Sequence, residues 1–145
     1  MNSSLPRQVL RGLAFGAIAT VPMTAAFWAA RRAGFLDELP PHKAVRSVAP
    51  AIPEPGLSWA SAIAHLLVGG VAGATYSVLP ERIRGPVTGT VFGLAVWAVG
   101  YEGVMPAATE IAPAHRDKRQ RALTILVAHV IYGSALGLLF GRTRH

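Results

Sequence analysis

The amino-acid sequence predicts an all-α integral membrane protein in which four antiparallel helices form one bundle. Two observations predict this fold. Only 14% of the 145 residues are charged, whereas an ordinary soluble domain has about 25%. The charged residues also leave four long uncharged runs, and about 20 apolar residues in a helix are enough to cross a bilayer. We therefore expect residues 1–145 to form a single transmembrane domain.

The uncharged runs place the membrane spans along the chain. The predicted spans cover residues 12–30, 58–79, 86–108 and 122–141. The third run is long enough only if Glu102 lies in or near the membrane. A Pro-rich loop at 31–57 joins the first two spans. Its prolines interrupt any continuous helix, but they leave room for a short interfacial helix at about 41–48.

The basic residues flank the uncharged runs, where Lys and Arg meet lipid headgroups. The net charge of +7 therefore indicates the lipid bilayer as a partner and not nucleic acid. Four spans put both termini on one face, which we name side one together with the 80–85 turn. Side two holds the 31–57 and 109–121 loops. Side one is denser in arginine, so we expect the termini in the cytoplasm. Its arginines are Arg7, Arg11, Arg82, Arg84, Arg142 and Arg144.

The residue types present restrict the chemistry. The chain contains no cysteine, which excludes disulfides, thiolate metal sites and a cysteine nucleophile. The sequence also lacks a nucleophile elbow, a Walker loop and a dinucleotide-binding glycine motif. We predict no catalytic residue, and an enzyme is the least supported class.

Small residues recur at four-residue spacing in every span. Lipid tails provide no hydrophobic drive for helix pairing, so close backbone approach at small residues must supply the contact energy. These glycine ridges either build the bundle itself or pair with another subunit. The predicted helix-packing residues are Gly12, Gly16, Gly69, Gly73, Gly89, Gly93, Gly133 and Gly137.

A weak internal repeat suggests that the bundle consists of two copies of one helical hairpin. Residues 64–69 resemble residues 128–133, which lie 64 positions later, and residues 11–16 resemble residues 84–89. Because each copy would contain two spans, both copies would have the same orientation in the membrane.

Ionisable residues inside a bilayer are costly, so they mark candidate functional sites. At 1.5 Å per residue, the ionisable residues within the spans and one methionine lie about 10 Å below side two. A tyrosine lies nearby. At about 100° per residue, Glu102 lies opposite Gly93 on its helix and therefore off the glycine face. The predicted polar intramembrane site consists of His65, His129, Glu102, Tyr132 and Met23.

This site is compatible with several functions. His titrates near neutral pH, so the site could pass protons or a small solute. His65 and His129 could ligate haem b from its two faces, or they could hold a divalent metal together with Glu102. The histidines could also do no more than bond to neighbouring helices. A different class remains open, namely a non-catalytic accessory subunit. Such a subunit would use the glycine ridges to pack against a larger membrane complex or a second copy.

The pattern of motifs resembles the YagU-like uncharacterised bacterial inner-membrane proteins over most of the chain. The residues that carry the resemblance are Val21-Pro22-Met23, Ala64-His65 with Gly69, and Ala128-His129 with Tyr132-Gly133. The resemblance implies four membrane helices and a bacterial inner membrane. It implies no catalytic residue.

Overall fold

The computed structural model describes residues 4–142 and confirms the all-α fold. Arg144, one of the side-one arginines, lies outside this range. Four helices are long and apolar enough to cross a membrane, so the chain is a multi-pass membrane protein. Those helices are Leu5–Arg32, Gly56–Ser77, Pro86–Ala108 and Arg119–Arg142. The first and last extend beyond the predicted spans because a helix can continue through the headgroup layer without breaking.

Six α-helices follow one another along residues 4–142. They are α1 (Ser4–Arg32), α2 (Pro40–Val48), α3 (Gly56–Ser77), α4 (Pro86–Ala98), α5 (Met105–Ala108) and α6 (Arg119–Arg142). The short helix α2 lies where a helix was predicted in the Pro-rich loop, and its interfacial position stays a prediction. Its two starting prolines are favourable because the first turn of a helix needs no backbone donor. It packs on α3 at side two.

The third span changes its helical geometry near side two. A π-helical segment, Val99–Val104, connects α4 to α5. Pro106 follows directly and has no backbone N–H for the carbonyl of Glu102, and two glycines lie within the segment. Such widened turns shift the positions of all following side chains and are frequent at functional sites. Here Tyr101 is buried, whereas Glu102 is exposed.

Glycines lie where helices approach most closely. A Cβ atom added to Gly16 would lie 2.1 Å from the carbonyl oxygen of Gly69, on α3. A Cβ atom added to Gly133 would likewise lie 2.1 Å from the carbonyl oxygen of Gly89, on α4. At both positions a side chain would meet backbone, which cannot move aside by changing its rotamer. The pairs α1–α3 and α4–α6 are therefore in backbone contact.

The two hairpins make equivalent contacts. The pair Gly16–Gly69 in the first hairpin corresponds to Gly89–Gly133 in the second, and Gly12–Gly73 corresponds to the 85–137 pair. Both correspondences follow the sequence repeat. The contacts between the hairpins are not equivalent, because α1 packs along α6 whereas α3 and α4 scarcely touch.

Candidate functional site

A cavity of about 880 Å³ lies at side two between α1, α2 and α3. Its deep end reaches into the membrane-spanning part of the bundle, where Thr20, Thr24, Ser61 and His65 line it. Charged side chains surround its mouth. Its volume lies within the range of about 300–1,000 Å³ that small-molecule sites occupy. We name it the side-two cavity.

His65 is the titratable group at the deep end. Its Nδ1 lies 3.2 Å from Thr24 Oγ1, and its ring lies 6.1 Å from that of Phe27. No residue among 4–142 bonds to Nε2 of His65, so this nitrogen is available to a ligand in the cavity. Either atom of the Thr24–His65 pair can be the donor, depending on the tautomer.

The other hydroxyl groups at the deep end donate within their own helices. Thr20 Oγ1 donates to Ala17 O at 2.6 Å, and Ser61 Oγ donates to Leu57 O at 2.6 Å. Their hydrogens are therefore occupied, while their oxygen lone pairs remain free to accept. The deep end offers acceptors together with one imidazole.

Three more of the predicted site residues lie inside the bundle but outside the cavity wall. His129 lies on α6, and its Nδ1 donates to Ile125 O at 2.8 Å. Tyr132 donates its hydroxyl to Gly69 O at 2.7 Å, which ties α6 to α3. Met23 is buried. The structure thus leaves both histidines half-buried in the bundle.

Glu102 lies elsewhere. The π-helical segment turns its side chain toward the 109–118 loop, where it accepts a bond from the His115 backbone N–H at 3.0 Å. Its second oxygen lies 2.6 Å from His115 Nδ1. The neighbouring Tyr101 donates its hydroxyl to Asp117, which also pairs with Arg121. Glu102 therefore helps to hold the loop at side two and makes no contact with His65 or His129.

A cluster of charged groups closes α2 onto the start of α3 at the cavity mouth. Nδ1 of His42 lies 2.6 Å from Glu38, and its Nε2 lies 2.5 Å from Glu54. Only a doubly protonated imidazole can donate to both carboxylates. Arg46 also donates to Glu38 at 2.6 Å, and Ser58 donates to Glu54 at 2.8 Å. We name this set of five residues the His42 clamp.

The clamp changes the titration of its members. The hydrogen bonds to Glu38 and then Glu54 raise the pKa of His42 above its ordinary value of 6.5. The bond from His42 lowers the pKa of Glu54 below its ordinary value of 4.5. The contribution of His42 is therefore complete below pH 6.5 and is lost as the pH rises through its raised pKa. The contribution of Glu54 is present above pH 4.5 and is lost as the pH falls through its lowered pKa.

We expect α2 to become more mobile as the pH rises from mildly acidic to alkaline values. A spin label on Val48→Cys, which is 61% exposed in the native chain, reports this motion without interference because the chain has no other cysteine. In the matched variant His42→Gln, the side chain no longer titrates, so label mobility should not depend on pH. An equal response of both proteins would contradict control by His42.

Sequence reasoning missed the clamp. Glu38 and His42 are four residues apart, but Glu38 precedes α2, which begins at Pro40, so helix periodicity does not pair them. The spacing in the sequence does not predict the contact between His42 and Glu54, because the conformation of the intervening loop determines the distance between them. Within residues 4–142, no group of three or more His, Asp or Glu side chains is placed to hold a metal ion.

Fold and cavity together define a class: a small multi-pass membrane protein with a polar cavity that opens at one face. The chain belongs to the Family of unknown function (DUF6789), whose sequence profile matches residues 6–145. Comparison with curated proteins and with solved structures finds no match. The resemblance to YagU-like proteins stays a prediction.

Proposed function

We propose that the protein passes protons or a small polar solute across the membrane from the side-two surface, with His65 as the deepest contact within the cavity. The observation that carries this proposal is the side-two cavity, which connects a charged mouth to a titratable group within the spans. Ionisable groups in a bilayer typically face cavities or transport pathways.

The chemistry of the deep end suits transfer. Nε2 of His65 can take up a proton from the cavity and return it, because a neutral imidazole has one acceptor nitrogen, while Thr24 Oγ1 holds Nδ1 in place. A neutral solute with donor groups would instead bond to Nε2 and to the hydroxyl lone pairs of Thr20 and Ser61. Counting along α6 puts His129 at a depth similar to that of His65, so it is a second titratable group at this level of the bundle.

Orientation gives the proposal a direction. We place the protein in a bacterial inner membrane with its arginine-rich side one in the cytoplasm, following the tendency of basic residues to stay inside. The side-two cavity would then open to the periplasm, and the His42 clamp would meet the pH of that compartment.

The first test is whether water reaches the cavity. Each variant carries a single cysteine, since the native chain has none. Ala62→Cys and Leu66→Cys lie on the cavity wall. Their neighbours Ile63 and Leu67 lie at nearly the same depth on α3 but do not line the cavity. We expect a charged, membrane-impermeant thiol reagent to modify the two cavity cysteines much faster than Ile63→Cys and Leu67→Cys.

The adjacent pairs control for depth, because one residue along a helix changes depth by only about 1.5 Å. Lipid-facing thiols react slowly, since the thiolate does not form in hydrocarbon. Equal, slow modification at all four positions would mean that lipid chains fill the cavity, and the proposal would be wrong. Fast modification from side one only would reverse the assigned mouth.

The alternative function is a non-catalytic accessory subunit that uses its glycine ridges to bind a larger complex or a second copy. The eight predicted ridge glycines approach other helices of the same chain, which leaves those ridges little surface for a partner. Haem b between His65 and His129 stays a prediction. The cavity therefore favours passage over both.

A further inference from the structure

Two guanidinium groups converge on one aromatic ring at side one. Cζ of Arg11 lies 5.5 Å and Cζ of Arg84 lies 5.2 Å from the ring centre of Phe140. Arg11 also lies 5.2 Å from the ring centre of Phe15. The two arginines occupy equivalent positions in the two hairpins, each directly before a glycine of the repeat. We name Arg11 and Arg84, which both contact Phe140, the side-one arginine pair.

Arg84 is fully satisfied by the chain. It is buried, its Nη1 donates to Ser77 O at 3.1 Å, and its Nη2 pairs with Glu81 at 2.8 Å. Charged groups that leave water need such partners, because desolvation without compensation is costly. Arg84 therefore has a structural explanation within the fold.

Arg11 is different. It is half-buried, and no carboxylate among residues 4–142 lies within ion-pair distance of it. Its Nε is buried without a hydrogen-bond partner. The other two nitrogens are not among the buried atoms that lack partners, so Nη1 and Nη2 form the edge of the guanidinium that a ligand can reach. The rings of Phe15 and Phe140 supply cation–π attraction but no acceptor atom.

The position of Arg11 matches the level of lipid phosphates. The run from Gly12 to Ala30 contains 19 uncharged residues, which as a helix span about 28 Å, close to the thickness of the hydrocarbon core. Of the seven acidic residues, only Glu81 lies on side one, and Arg84 already pairs with it. Arg11 therefore has no acidic partner of its own among residues 4–142 on side one.

We propose that Arg11 binds a phosphate group at side one and that an anionic phospholipid supplies it. Two parallel N–H donors of a guanidinium fit two phosphate oxygens, and this bidentate arrangement is stronger than a bond to a neutral acceptor. Arg84 contacts the same ring, but its charge is already paired with Glu81. Basic recesses between membrane helices are known to bind lipid headgroups in this way. The site lies at the opposite face from the side-two cavity and does not depend on its function.

Thermal unfolding of the full-length protein in detergent micelles tests this proposal. Added phosphatidylglycerol should raise the unfolding temperature of the native protein more than added phosphatidylcholine does, because a ligand of the folded state stabilises it. Arg11→Gln should lose most of the difference between the two lipids. Arg82→Gln is the matched control, since it removes the same charge from the same side at an exposed position. It should keep most of the difference.

If Arg11→Gln and Arg82→Gln lose the lipid-dependent difference in unfolding temperature equally, the effect is diffuse charge attraction and the site is wrong. The site is also wrong if the native protein shows no difference between the two lipids. Inorganic phosphate is the second probe. Inorganic phosphate that raises the unfolding temperature in zwitterionic micelles, and does so only when Arg11 is present, would support the phosphate site but overturn the lipid as its source. If Arg11→Gln does not fold, Arg11→Lys replaces it. Lysine keeps the charge without the paired donors, so a reduced lipid effect would support the site and an unchanged effect would overturn bidentate binding.

Discussion

Gly16→Ala and Gly133→Ala are expected to destabilise the protein strongly or to prevent its assembly. In each case the added methyl group would lie 2.1 Å from a carbonyl oxygen on the neighbouring helix, far inside van der Waals contact. The helices must separate, and the neighbouring glycine contacts are lost with them. Overpacking typically costs about 1–3 kcal/mol, and we expect the upper end because backbone lies on both sides. The measurement is the unfolding temperature and the yield of folded protein in detergent.

Two further glycines provide graded controls. A Cβ atom on Gly70, the neighbour of Gly69 in α3, would meet only Leu13 O at 3.2 Å, and one on Gly141 would meet nothing within 4 Å. Gly70→Ala should therefore have a small effect. Gly141→Ala should be neutral or slightly stabilising, since alanine favours a helix by up to about 1 kcal/mol over glycine. Equal destabilisation by all four substitutions would contradict close approach as the cause.

The fold was predictable because membrane spans leave a direct signature. Hydrocarbon excludes charge from about 20 consecutive residues, so charged residues mark the ends of each span. The internal repeat could also be recognised in the sequence. Residues 11–16 and 84–89 resemble each other, and both pack against the second helix of their own hairpin. The unequal packing between the two hairpins could not be predicted from the sequence. Whether α1 contacts α6 more than α3 contacts α4 depends on side chains from all four helices at once.

The candidate site was predictable only in part. Depth along a regular helix placed His65 and His129 at one level, and the structure leaves both half-buried in the bundle. The same counting failed for Glu102, because it assumed regular helix up to Pro106. The π-helical segment Val99–Val104 changes the rotation of the helix just before that proline, and Glu102 then bonds with His115 outside the bundle.

The side-two cavity itself could not be derived from sequence. Its wall comes from three separate helices, and its mouth depends on how α2 folds back onto α3 through the His42 clamp. A Pro-rich loop can adopt many conformations, and the spacing of residues in the sequence does not predict which of them forms.

Replacing His65 has the largest expected effect on function. Vesicles that contain the native protein should dissipate an imposed pH gradient, or swell in a small polar solute such as glycerol, faster than protein-free vesicles. His65→Ala should reduce that rate to the protein-free level. Assembly should survive, because an interhelical hydrogen bond in a membrane bundle contributes only about 0.6 kcal/mol, a small part of the roughly 5–15 kcal/mol that stabilises a typical fold. An unchanged unfolding temperature would separate lost function from lost structure.

The choice of variant at position 65 also distinguishes the two kinds of cargo. Glutamine keeps a hydrogen-bonding side chain at the end of the cavity but does not titrate. His65→Gln should therefore abolish proton flux if protons are carried, yet retain much of the swelling rate if a neutral solute is carried. His115→Ala is the matched control, since it removes an imidazole from the exposed loop beside Glu102 and not from the cavity. Native vesicles that are no faster than protein-free ones in either assay would show that passage is wrong. Full activity of His65→Ala would remove His65 from the route.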